Sequence, residues 1–291
     1  GHNPQGSQRI QCRNCKKVWT PKKYQKEITH PQAIETVQLF IPFQGASAVQ
    51  KLYVLVSLDA TRGNILHLST NYTQHQTGDS LRYSYKGNTE PTMHHRDIVQ
   101  KVDMREAQFL RRSQFDEIQY GSAVLKRNGK GAILRPVITA HGHFRILKIR
   151  YPDVKTHIIS HECFLRGAII TAWADQFRQQ QGELWFVEEE ISDSNADTPW
   201  HFKGTTYHGW WQNQWQRWEQ GNNCKMVCLL TGVCLERGAN VSLATSRCFI
   251  TWLTDQHDFT QSALLSAGRV AQMLTSLALK YNCLLYTSPS P

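Results

Sequence analysis

Leu52-Tyr53-Val54-Leu55-Val56-Ser57-Leu58 is a nearly unbroken apolar run that stops at Asp59. A run of this length, without a polar residue at every second place, reads as a strand buried on both faces. Thr61-Arg62-Gly63-Asn64 reads as a turn and 65–72 as a second strand, so the two form a predicted hairpin. Residues 81–85 read as a third strand. Further along, 96–112 is a predicted helix, Asn128-Gly129-Lys130-Gly131 a turn, 138–151 more helical than not, and 155–159 a short strand. Residues 163–180 read as a helix with Leu165, Ile169, Ala172, Trp173 and Phe177 along one side, and 184–187 as another buried strand. Upstream of the opening run, 21–50 reads as a connector with a helix around 32–40. Near the end, Trp211, Trp215 and Trp218 follow steps of four and three, which predicts one helical face, and 267–281 is a last amphipathic helix. A Trp face of this kind reads more readily as packing than as a base-stacking platform. Strands alternating with helices in this way place the chain in the α/β class.

Lysine and arginine number 33 against 23 acids, a net charge of +10, which favours a polyanionic partner through phosphate neutralisation. The bases are uneven. Arg9, Arg13, Lys16, Lys17, Lys22, Lys23 and Lys26 all precede the first acid, Glu27, and Arg145, Lys148, Arg150 and Lys155 form a second group. With no apolar stretch long enough to span a bilayer and no apolar leader after Gly1, the expected compartment is the cytoplasm and no membrane partner is expected. Cys163, Cys224, Cys228, Cys234 and Cys248 lie mostly in apolar surroundings, as reduced core thiols do.

Cys12-Arg13-Asn14-Cys15 is flanked by bases and followed by Trp19, which reads as half of a zinc ribbon. Zinc needs four ligands, so Zn²⁺ would require a further cysteine pair ahead of Gly1. Asp59, ending an apolar strand before a turn, is either a metal-ligating carboxylate or a turn-capping one. His141, His143, His157 and His161 read as structural histidines, neutral near pH 7.

Three segments carry a family resemblance: 131–148 (Gly-Ala-Ile-Leu-Arg-Pro-Val-Ile-Thr-Ala-His-Gly-His-Phe-Arg-Ile-Leu-Lys), 157–175 (His-Ile-Ile-Ser-His-Glu-Cys-Phe-Leu-Arg-Gly-Ala-Ile-Ile-Thr-Ala-Trp-Ala-Asp), and 234–247 with Cys-Leu-Glu-Arg-Gly, Ser242, Ser246 and Arg247. Together with Gly6, Gln8, Arg9, Cys12, Cys15, Lys17 and Trp19 they resemble bacterial insertion-sequence transposases of the Asp-Asp-Glu class. The resemblance implies an RNase H-like mixed sheet flanked by helices, in which an acid on the first strand meets an acid after the fourth and a third comes from a later helix. It implies strand cleavage and transfer at the ends of a mobile element with Mg²⁺ or Mn²⁺, double-stranded DNA as partner, and a homo-oligomer as the assembly. On this chain it implies Asp59 as the first ligand and Glu162 as the available second acid, because Ser160 stands where the family pattern has Asp. Glu162 is equally a first-turn helix acid. Glu236 is the candidate third ligand, with Glu219 as competitor, and either reads as readily as a solvated surface acid.

Ser160 cannot offer magnesium an anionic oxygen, so the chain is expected to be either an active transposase relying on Glu162 or a degenerate copy that binds DNA without cutting it. The connector also leaves little room for the helix-turn-helix usual in the family. The expected organisation is a partial zinc ribbon (1–20), a connector (21–48), the core (49–282), and a tail (283–291, Cys-Leu-Leu-Tyr-Thr-Ser-Pro-Ser-Pro) that resembles a translated sequencing adapter.

Overall fold

The computed structural model describes residues 10–11, 18–19, 30–45, 49–74, 97–115, 131–193, 198–232 and 235–287. The chain divides into two units, Gly1–His30 and Pro31–Pro291. In the first, strands β1 (Ile10–Gln11) and β2 (Val18–Trp19) pair antiparallel, Ile10 opposite Trp19. Cys12 and Cys15 lie outside the described residues, as does the expected strand at 81–85.

The second unit is built on one mixed sheet. Its strands in chain order are β3 (Ala33–Gln44), β4 (Val49–Asp59), β5 (Ile65–Thr70), β8 (Thr156–Ser160), β9 (Glu183–Glu190), β10 (His201–His208), β11 (Asn213–Gln220) and β12 (Asn223–Thr231). They lie in the order β10-β11-β12-β9-β8-β3-β4-β5. β3, β8 and β9 run parallel, and every other neighbouring pair is antiparallel. A short pair, β6 (Tyr72–Thr73) and β7 (Ala132–Ile133), stands apart.

Helices cover both faces, and that explains the unbroken apolar run of β4. Leu52, Val54, Val56 and Leu58 point into a core shared with α5 (Ala244–Thr254) and, beyond the short α6 (His257–Thr260), with α7 (Ala267–Thr287). Tyr53 and Leu55 point the other way, into a core shared with α1 (Ile98–Phe115), α2 (Pro136–Arg150) and α3 (Cys163–Ala172). Because side chains alternate along a strand, each face must be apolar when neither meets water. α2 starts with Pro136 in its first turn, where a missing N–H costs nothing, and ends with Lys148 and Arg150 beside its carbonyl end.

Three expectations are corrected. Residues 33–40, within the stretch expected to be helix (32–40), are strand, and the sheet therefore begins at Ala33, ahead of the boundary placed at 49. Ile34 faces one core while Val37 and Ile41 face the other, so pairing with β4 and β8 on either side decides the conformation. The Trp-rich stretch is a β-turn-β unit, β10 to β11, not a helix. In β11, Trp215 is buried in the core of α1 to α3 while Trp218 packs against the core of α5 and α7. The helix expected over 163–180 breaks at Trp173 and resumes as α4 (Ala174–Arg178). Among the described residues, no helix is long and apolar enough to cross a membrane.

Candidate functional site at the carboxyl ends of the parallel strands

Asp59 and Glu162, two of the acids expected to share a metal, lie apart. Asp59 ends β4, where its Oδ1 accepts the backbone N–H of Thr61 at 2.9 Å and of Arg62 at 3.1 Å. Gly63, at φ +73°, closes that turn by donating its N–H to the Asp59 carbonyl at 2.8 Å. The Asp59 side chain thus caps a turn. Glu162 follows β8 and caps α3, accepting the N–H of Phe164 at 3.4 Å and the hydroxyl of Tyr53 at 3.3 Å. Tyr53, in the middle of β4, precedes Asp59 by six residues, about 20 Å along the strand at the usual rise per residue. No single cation reaches both. Glu236 lies in a short 3-10 turn, Leu235–Asn240, and its side chain is outside the described residues. Glu219, on β11, is held by Arg217 at 2.9 Å and Lys203 at 3.3 Å. Among the described residues, no group of three or more His, Cys, Asp or Glu side chains is placed to hold a metal ion.

With β3 first in the sheet, the acid on the first strand is Glu35, which sequence reasoning missed. It is buried and accepts Ser246 N–H and Ser246 hydroxyl, both at 2.9 Å, and Thr245 N–H at 3.4 Å. It therefore seats the N-terminus of α5 on the sheet, and desolvation raises its pKa above the ordinary 4.5 despite these donors. Level with the end of β8, the first strand presents Gln38, and the Ser160 hydroxyl donates to its Oε1. Two neutral side chains thus face each other there.

Two of the expected structural histidines, His143 and His157, are buried. His143 joins Ser57 at 2.8 Å through Nε2 and Ser69 at 2.7 Å through Nδ1, and Ser57 pairs with Thr36 at 2.6 Å. Complete burial holds its pKa well below 6.5, so it is neutral and bridges β4, β5 and α2 as donor on one side and acceptor on the other. His157 packs against Trp173, ring centroids 4.3 Å apart and planes tilted by 59°, and burial pushes its pKa down to about 3.

A cluster of charged groups lies by the carboxyl ends of β8 and β9, at the position where open α/β sheets usually bind ligands. His161 lies among Phe109, Phe186 and Trp215, and desolvation lowers its pKa. Its Nε2 meets Glu106 Oε1 at 3.2 Å, and Asn213 Nδ2 donates to the same oxygen at 3.1 Å. Around it, Arg105 pairs with Glu188 at 3.1 Å, Lys101 with Glu190, and His208 with Asp103 at 2.6 Å. Asp103 and Glu106 are one helical turn apart on α1, the one local signal that could have marked them.

A second feature is electropositive. α2 contains no acid, and its solvent side carries His141, Arg145 and Arg150, with Lys155 exposed just beyond. Lys148 is partly used, donating to the Pro152 carbonyl and lying 5.5 Å from the Trp173 ring. Against known families and characterised proteins, the chain matches no family model and no curated protein.

Proposed function

We propose that this chain is a DNA-binding protein derived from an insertion-sequence transposase, with an RNase H-like core that has lost the acids needed for metal-dependent strand cleavage. The succession supports this reading: three antiparallel strands (β3, β4, β5), helices, a strand parallel to the first (β8), a helix, another parallel strand (β9), and later helices. On this reading β10 to β12 are an insertion extending one edge of the sheet.

The observation that carries the proposal is the contact between Gln38 and Ser160. In the RNase H-like arrangement an acid on the first strand meets an acid after the fourth, because Mg²⁺ demands anionic oxygens. Here the facing pair is an amide and a hydroxyl. The acids nearby in sequence, Glu35 and Glu162, are bound to the N-termini of α5 and α3. These donors do not fit a two-metal site, so no cleavage step is assigned to them.

DNA binding is supported by the net charge of +10 and by the acid-free exposed face of α2. Cys12 and Cys15 would supply two thiolates of a ribbon that adds to it, in a homo-oligomer acting on double-stranded DNA in the cytoplasm. Fluorescence anisotropy of a labelled duplex from about 50 to 200 mM salt tests the binding. Affinity should fall linearly on a log–log plot with a slope of several units. Absence of binding at the low-salt end, or a slope near zero, would refute it.

A further inference from the structure

We propose that two copies of this chain pair through strand β10, edge to edge and antiparallel, so that their mixed sheets join into one. The pairing gives the homo-oligomer of the reading above a surface, but it is made between backbones and does not depend on DNA binding.

The sheet has two edges, and the chain treats them differently. The β5 edge is closed. Asn282 lies against it, its Oδ1 accepting the Ile65 N–H at 2.7 Å and its Nδ2 donating to the Ile65 carbonyl at 2.9 Å. Just past the end of β5, the Asn71 carbonyl accepts the Leu134 N–H at 2.7 Å. An open edge is a template for another strand, and occupying its backbone groups in this way removes the template. The opposite edge is β10, which pairs with β11 on one side; among the described residues no strand pairs with its other side. Six of its eight residues are exposed, so neither face is covered.

The strand is suited to pairing. Phe202, Thr205, Thr206 and Tyr207 are strand formers, and no proline interrupts them. Phe202 and Tyr207 are 53% and 59% exposed. Phe202 lies opposite Trp218, and Thr205 and Tyr207 opposite Gln216 and Gln214, so all three share the face of the sheet that carries α5 and α7. Lys203 and the bulge at its position are devices that blunt an edge. Here Glu219 holds the Lys203 ammonium at 3.3 Å, and Gly204–His208 continue in regular register beyond the bulge.

Charge selects a second copy as the occupant. Chains of net charge +10 repel one another except where the surfaces that meet are near neutral. From His201 to Gln212, Lys203 is the only Lys, Arg, Asp or Glu. The same neutrality disfavours DNA on this edge. Identical antiparallel strands meet across a two-fold axis. An axis beside Thr205 sets that residue opposite its own copy and each Tyr207 level with the other copy's bulge at Phe202–Lys203. It also brings each β10–β11 turn, where Trp210 is 77% exposed, level with the other copy's His201. A strand of this length spans about 26 Å and buries roughly 400–500 Å² on each copy, which makes the dimer a weak and reversible one.

The test is sedimentation velocity of the whole chain, without DNA, from about 1 to 200 μM. The mass should rise from 33.5 kDa toward twice that value, and the β10 amides should exchange with deuterium more slowly at the concentrated end. Thr205→Lys and Thr205→Glu each set like charges face to face at the axis and should weaken association at least about ten-fold, while an equal mixture of the two should recover it. If either variant loses its native circular dichroism, Tyr207→Lys takes its place and the exchange comparison on wild type still decides. A chain that stays monomeric, a mass that grows past the dimer as head-to-tail pairing of β10 with β5 would make it, or β10 exchange indifferent to concentration overturns the proposal. So does association untouched by charge at Thr205, or a mixture no tighter than either variant alone.

Discussion

Glu35 is the carboxylate whose role separates a structural account of this sheet from a catalytic one. It is 2% exposed and accepts two hydrogen bonds at 2.9 Å and a longer one at 3.4 Å from the first turn of α5. Glu35→Ala strands those donors inside the protein. A bond to a charged acceptor is worth roughly 1.5–3 kcal/mol, and the third, long contact adds little. The cost of burying the carboxylate, visible in its raised pKa, offsets part of the sum. The expected net loss is about 2–4 kcal/mol, or roughly 5–15 °C in Tm for a unit of this size.

Glu35→Gln keeps an acceptor in place and should stay within about 1 kcal/mol of wild type at pH 7. It also removes a pH dependence. The folded value lies above the ordinary 4.5, so on acidification the folded chain takes up this proton before the unfolded chain does. Wild type should therefore gain stability relative to Glu35→Gln as pH falls through the folded value, with the gain complete below 4.5. Urea unfolding followed by far-UV circular dichroism across this range reads both effects. If Glu35→Ala unfolds within about 0.5 kcal/mol of wild type, the helix-seating role is wrong.

Three further outcomes are expected. Asp59→Ala, which removes a turn cap, should cost about 1 kcal/mol in urea unfolding and leave duplex affinity unchanged; a large loss of binding would return Asp59 to the functional site. His157→Phe should flatten the acid limb of stability: the buried imidazole titrates at about 3 against 6.5 when unfolded, so its contribution is present above 6.5 and is lost toward 3. A variant whose acid limb matches wild type would contradict that burial. Replacing Arg145 and Arg150 by Ser should lower the salt slope of DNA binding by about 1 for each phosphate contact removed, with unfolding unchanged; an unaltered slope would move the DNA elsewhere.

The hairpin of β4 and β5 was legible because its signals are local: an apolar run, a stop at Asp59, and a Gly63 that supplies the positive φ. Strand β3 was not, because Ile34, Val37 and Ile41 are spaced by three and four and so imitate a helical stripe. Its strand character comes from pairing with β8, more than a hundred residues away. That single miss shifted the frame. With β4 counted as the first strand, the acid at its end took the first metal role, although Asp59 lies at the amino ends of the parallel strands, away from Glu162. Ser160 was legible as a departure from the family pattern, whereas its partner Gln38 became visible only once β3 was in place. The Glu106–His161–Asn213 cluster joins a helix, a strand end and a hairpin, and no local spacing announces it.

On the proposed reading, the amide of Gln38 and the hydroxyl of Ser160 stand where cleavage needs two carboxylates. The most direct test incubates supercoiled plasmid with the protein in Mg²⁺ and, separately, Mn²⁺, at concentrations where anisotropy shows the DNA to be bound. The account predicts bound plasmid that stays supercoiled. Metal-dependent nicking that disappears in Glu162→Gln or Asp59→Asn would contradict it.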